Sequence, residues 1–196
     1  MGSAVRTSSA RRTMTITLCA MFTALMVVGA FYRIPIPHLP ITLQNFFAMM
    51  AGLLLGGELG AVSVAVYVLL GLLGLPVFTE GGGIFYVLKP SFGYLVAFIL
   101  GAYITGKIAN AKGEPSFKRI LAANFIGLAV VYAIGMTYFF IAMNVWTAGA
   151  SMTVKKLFAA CFIPVIPGDI VKCIVAAIIA VKLIPITKRY TGGLLK

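Results

Sequence analysis

Two residues have the types and spacing to do chemistry, Asp169 and Lys172. They stand in Pro164-Val-Ile-Pro-Gly-Asp-Ile-Val-Lys172, inside an otherwise apolar run. Three residues apart on a helix, both side chains share one face. Pro167 followed by Gly168 and Asp169 reads as a helix start, with the acid near the positive end of the dipole. Lys172 then lies ~8 Å beyond Pro167, at 1.5 Å per residue. An acceptor beside a donor suits recognition of a polar ligand, and an ionisable residue within a membrane segment marks a site by default. The alternative is a self-neutralising ion pair that only locks the helix. A cation channel would prefer an unpaired acidic ring.

Other candidates surround apolar or irregular stretches. Gln44 and Asn45 open an apolar run, and an amide there bonds a ligand or, somewhat more readily, a neighbouring helix. Gly81, Gly82 and Gly83 permit close backbone approach to a ligand or simply form a flexible turn. No Gly-Lys-Ser/Thr follows them, so they are no phosphate loop. Tyr86, Lys89 and Tyr94 come next, where tyrosines also serve as interfacial belt residues. Cys19, Cys161 and Cys173 match no zinc spacing. His38, alone among prolines, cannot build a metal site. Ala20 and Ala24 form a small-xxx-small pattern suited to close helix contact.

These side chains need elements to position them. The chain has 196 residues, 61% hydrophobic and only 10% charged, with mean hydropathy +1.06. A soluble domain is about 25% charged, so this composition indicates a polytopic membrane protein and excludes a soluble enzyme or a DNA-binding module. Four acids are present, Glu58, Glu80, Glu114 and Asp169, against 16 basic residues. Paired-carboxylate catalysis has almost nothing to draw on, and the net charge of +12 reads as topology signals rather than nucleic-acid binding. A spanning helix takes about 20 apolar residues. Charge-free windows place six spans, at 13–32, within 34–57 (a proline-rich loop and then Ile41–Leu55), 59–75, 91–106, 120–143 and 164–184. The second and third join at Gly56-Gly57-Glu58 as a helical hairpin, and 153–163 is partly amphipathic.

With six spans both termini share one side. That side holds Arg6, Arg11, Arg12, Lys107, Lys112, Lys118, Arg119, Lys182, Lys188, Arg189 and Lys196, and the other only Arg33, Lys89, Lys155 and Lys156. The positive-inside rule therefore favours both termini in the cytoplasm. Five spans, the main alternative, would break this segregation. The expected layout is a basic tail over 1–12, an all-α six-helix membrane domain over 13–187 and a second tail over 188–196. Three irregular segments, 34–42, 76–90 and 144–163, then fall on the outer side, where non-helical backbone is tolerated if it lines a cavity.

Three stretches carry a family resemblance. They are Pro40-Ile-Thr-Leu-Gln44-Asn-Phe-Phe with Ala51-Gly-Leu-Leu-Leu-Gly-Gly-Glu-Leu-Gly-Ala61; Gly71-Leu-Leu-Gly-Leu-Pro-Val-Phe78 with the glycine run and Pro90-Ser-Phe-Gly-Tyr94; and Pro167-Gly-Asp-Ile-Val-Lys172. The chain resembles the BioY family, the biotin-binding S-components of energy-coupling-factor (ECF) vitamin transporters. The resemblance implies an S-component architecture with a vitamin pocket near the exterior. It implies that Asp169 and Lys172 bind the polar head of biotin, with Gln44, Phe78, Gly82, Gly83, Tyr86, Phe92 and Tyr94 around it. Lys89, Arg33 or backbone of the glycine run would meet the biotin carboxylate. It further implies that Ala20 and Ala24 meet a transmembrane coupling subunit, and that partner ATPases supply energy, since the chain carries no Walker motif. Biotin would be cargo, with no cofactor. Lys155 and Lys156 do not fit the pattern. The competing readings are an S-component for another vitamin, a stand-alone membrane transporter and, least supported, a membrane enzyme.

Overall fold

The computed structural model describes residues 2–34, 40–111, 116–147 and 151–191, with side chains from residue 12 to residue 187. His38, Lys112, Glu114 and the tail side chains at Arg6, Arg11, Lys188, Arg189 and Lys196 lie outside these. Among the described residues the fold is all-helical, with six α-helices: α1 (Gly2–Phe31), α2 (Gln44–Leu72), α3 (Phe92–Ala109), α4 (Phe117–Val145), α5 (Val154–Cys161) and α6 (Ile166–Thr191). A two-residue antiparallel ribbon, β1 (Arg33–Ile34) with β2 (Ile41–Thr42), joins α1 to α2, and a 3₁₀ turn at Ile84–Leu88 precedes α3. Among the described residues, five stretches are long and apolar enough to cross a membrane: Arg12–Phe31, Gln44–Leu72, Phe92–Ala109, Phe117–Val145 and Ile166–Thr187.

The hairpin expected at Gly56 is present inside α2. Gly56 has φ 82° and ψ 171°, a conformation open almost only to glycine. The chain reverses there, so Gln44 bonds Tyr67 and a methyl on Gly60 would fall 2.6 Å from the Gly52 Cα. Both pairs are centred on Gly56, as two antiparallel arms require. The arms, 44–55 and 57–72, span only ~18 and ~24 Å at helical rise, less than the ~30 Å hydrocarbon core. The second window reads in sequence as a proline-rich loop followed by a span over Ile41–Leu55; Ile41 and Thr42 instead form β2, and the helix starts at Gln44. Proline has no N–H to donate, which disfavours an earlier start.

Packing follows small residues. A Cβ on Gly52 would lie 2.2 Å from the Ala102 carbonyl oxygen, so α2 and α3 touch backbone to backbone. Helix α3 lies between α2 and α4, α6 packs on α2 and α4, and α1 lies on α2. Ser116 caps α4 and Thr153 caps α5, each hydroxyl accepting an N–H three residues on. The core has two parts. One, around Leu53, Ile120, Ala176 and Ile184, fills the end nearest the Gly56 reversal. The other, around Tyr67, Phe78, Tyr94, Phe98, Tyr132 and Met136, surrounds a cavity at the opposite end.

Candidate functional site

That cavity is partly open at its mouth and mostly apolar in its lining. Its rim is Pro40, Ile41 and Thr42 with Thr79, Tyr86 and Ser91. Its apolar wall is Tyr94, Leu95 and Phe98 of α3, Val131 and Tyr132 of α4, and Val165. Gln44 and Asn45 enter from α2, and Asp169 and Lys172 from α6.

The i, i+3 spacing on α6 delivers the expected pair: Lys172 Nζ lies 2.6 Å from Asp169 Oδ1, and both side chains are about nine-tenths buried. The Tyr132 hydroxyl donates to Asp169 Oδ2 at 2.7 Å, and Lys172 Nζ donates to the Thr42 carbonyl at 2.9 Å. A carboxylate offers about four acceptor positions and an ammonium three donors. Each group therefore keeps hydrogen-bonding capacity beyond these contacts. A buried ion pair seldom repays its desolvation in stability, whereas a polar pair in an apolar cavity orients a ligand.

The roof is one hydrogen-bonded chain. Thr42 Oγ1 donates to Gln44 Oε1 at 3.1 Å, Gln44 Nε2 donates to the Tyr67 hydroxyl, and that hydroxyl donates to the Val77 carbonyl at 2.9 Å. Arg33 bonds the Thr79 carbonyl, and the Thr79 and Tyr86 hydroxyls are 3.2 Å apart. The ribbon and the loop after α2 are thus tied together above the pair. The buried Tyr94 hydroxyl has no hydrogen-bond partner among the described residues. Nearby Cys161, outside the long helices, is buried, and burial pushes its thiol up to about 11. It stays neutral at pH 7 and unsuited to nucleophilic chemistry. No three His, Cys, Asp or Glu side chains gather among the described residues.

Of the residues chosen from sequence, Asp169, Lys172, Gln44, Tyr86 and Tyr94 line the cavity, and Phe78, Gly82, Gly83 and Phe92 do not. Phe78 sits behind the wall, on Gly71 and between the Tyr67 and Tyr86 rings at 5.5 and 4.5 Å. Phe92 packs on Tyr138, its ring 6.0 Å away. A Cβ on Gly82 would lie 2.0 Å from the Leu75 carbonyl, so its approach is to the protein's own backbone. Gly83 has φ 107° and its N–H donates to the Gly71 carbonyl at 2.7 Å. The glycine run is therefore a turn. Arg33 and Lys89 also stay off the cavity wall; Lys89 pairs with Glu80 at 2.5 Å.

Sequence reasoning missed Tyr132. Its signal was position: it stands in the middle of α4, far from either interface, where a tyrosine must find an internal hydrogen-bond partner. Thr79, Ser91, Leu95, Phe98 and Val131 carried no such mark.

Residues 3–189 match the profile of the BioY family. The chain belongs to the BioY family. It is 44% identical to a probable biotin transporter BioY of Lysinibacillus sphaericus over 171 residues, 87% of each chain. The biotin transporter BioY of Thermotoga maritima is 40% identical, over 83% of this chain and 91% of that one. A 2.1 Å crystal structure of the S-component for biotin from an ECF-type ABC transporter superposes with a TM-score of 0.74 at 30% identity, covering 89% of this chain and 92% of that one. This BioY-family chain is a multi-pass membrane protein.

Proposed function

We propose that this protein is the biotin-binding S-component of an ECF-type uptake system, and that Asp169 and Lys172 read the ureido group of biotin. The observation carrying this is the buried ion pair, held from two helices and a strand, inside the cavity of a BioY-family chain. A cyclic urea presents N–H donors beside a carbonyl acceptor. Asp169 accepts from the former and Lys172 donates to the latter. Tyr86, Tyr94 and Phe98 supply apolar surface for the bicycle and chain. The Tyr94 hydroxyl is a further donor. The ribbon and the 76–83 loop close the mouth, and Lys89 or Arg33 at that end meets the carboxylate. Biotin is cargo and no cofactor is needed.

In this reading the two α2 arms both traverse the bilayer, giving six crossings with both termini cytoplasmic. The membrane domain is 13–187, flanked by tails over 1–12 and 188–196. Ala20 and Ala24 are exposed on α1, which supports their use as a contact for a transmembrane coupling subunit whose ATPase partners energise transport. Titration calorimetry of the detergent-purified protein tests the function. Biotin is expected to bind tightly and Asp169→Asn to abolish measurable binding. Heat with thiamine or riboflavin but none with biotin, from folded protein, would overturn the assignment. Biotin uptake undiminished in cells lacking the ATPases would instead favour stand-alone transport.

A further inference from the structure

We infer that the groove between α4 and α5 is a binding site for an anionic phospholipid, its acyl chain lying in the groove and its phosphate meeting Lys155 and Lys156. The inference rests on the membrane placement and is independent of biotin. The groove is walled by Met136 and Phe140 of α4, Val154, Leu157 and Phe158 of α5, and Phe162. Its hydroxyls are already engaged: Thr137 donates to the Ala133 carbonyl and Tyr132 to Asp169. Such a surface offers little to a polar solute and suits a hydrocarbon chain.

Charge selects the head group. Helix α5 is amphipathic. Its buried side carries Leu157 and Cys161, while Lys155 and Lys156 are exposed beside Val154 of the groove wall. The three described carboxylates are all paired elsewhere, Glu58 with Lys107, Glu80 with Lys89 and Asp169 with Lys172. The fourth acid, Glu114, lies outside the described residues. The described residues therefore offer no free carboxylate to these two lysines, and a phosphodiester at the membrane surface supplies an anion. Tyr132 lines both groove and cavity, its ring 5.0 Å from Phe162.

Native mass spectrometry of the purified protein with equimolar dioleoyl phosphatidylglycerol and phosphatidylcholine tests the site. The expected result is retention of phosphatidylglycerol by about 30-fold over phosphatidylcholine, the combined effect of two surface lysines. Lys155→Gln with Lys156→Gln is expected to bring the ratio near one. Lys118→Gln with Lys182→Gln, elsewhere on the surface, is expected to preserve it. Ala133→Trp, which fills the groove, is expected to reduce retention of both lipids. Equal retention by the native protein overturns the proposal, as does a ratio that the first double variant leaves unchanged or that both double variants abolish equally.

Discussion

Replacing the whole ion pair by apolar residues separates a binding role from a structural one. In Asp169→Leu with Lys172→Met, both charges go and the volumes are roughly kept. In Lys172→Met alone, Asp169 stays buried with only the Tyr132 hydroxyl as partner. Breaking a buried pair on one side costs about 3–5 kcal/mol, while exchanging both partners for packed apolar groups is neutral or stabilising by about 1–4 kcal/mol. For a chain of this size, each kcal/mol moves Tm by roughly 2–4 °C. The single variant should therefore melt roughly 6–20 °C below the parent, and the double variant at or above it. Hydrogen bonds to charged groups contribute about 1.5–3 kcal/mol each. Losing one to Asp169 and one to Lys172 should thus weaken biotin binding by roughly 10²–10⁴-fold. Thermal unfolding in detergent and titration calorimetry on the same preparations give the two readouts. A stable double variant with parental biotin affinity would refute the assignment of the pair to the ligand. A double variant as unstable as the single one would show that the pair holds the fold.

Tyr132→Phe removes the donor to Asp169 Oδ2 and should weaken biotin binding by about 10–150-fold, the value of one hydrogen bond to a charged group, as measured by calorimetry. Tyr94→Phe should leave Tm within about 2 °C, because its buried hydroxyl has no hydrogen-bond partner among the described residues; a large drop in Tm would show a partner unaccounted for. Gly56→Ala should cost about 1–3 kcal/mol, because an L side chain is strained at φ 82°; an unchanged Tm would contradict the reversal there. Cysteines placed at Glu58 and Glu80 should react with impermeant maleimide from opposite sides of the membrane, and labelling from one side would sink the six-crossing topology. Ala20→Leu should abolish co-purification of the coupling subunit while leaving biotin affinity intact, and reduced affinity would place α1 in the pocket.

What was legible in the sequence was local. Charge-free windows located the long helices, and Gly56-Gly57 marked the reversal because glycine there permits the required φ. The i, i+3 spacing of Asp169 and Lys172 fixed their shared face, since helical rise and twist need no tertiary information. The choice among aromatic and glycine residues was not legible. In a membrane helix, the side facing lipid and the side facing protein are both apolar, so hydrophobic periodicity loses its phase. Phe78, Phe92 and Gly82 stood beside true wall residues and turned out to brace them, while Leu95, Phe98 and Val131 faced inward without any distinguishing neighbour.

The sequence by itself determined that the protein is a helical membrane protein of the BioY type carrying one acid–base pair within a span. Only the tertiary structure decided what that pair is held by. Tyr132 and Thr42 lie 37 and 130 residues from their partners Asp169 and Lys172. They meet because α4 and the ribbon pack against α6, and that packing depends on the backbone contacts of Gly52 with Ala102 and on the fold-back of α2. Spacing along one helix is a property of the chain; the rotation of one apolar helix against another is a property of the assembled core.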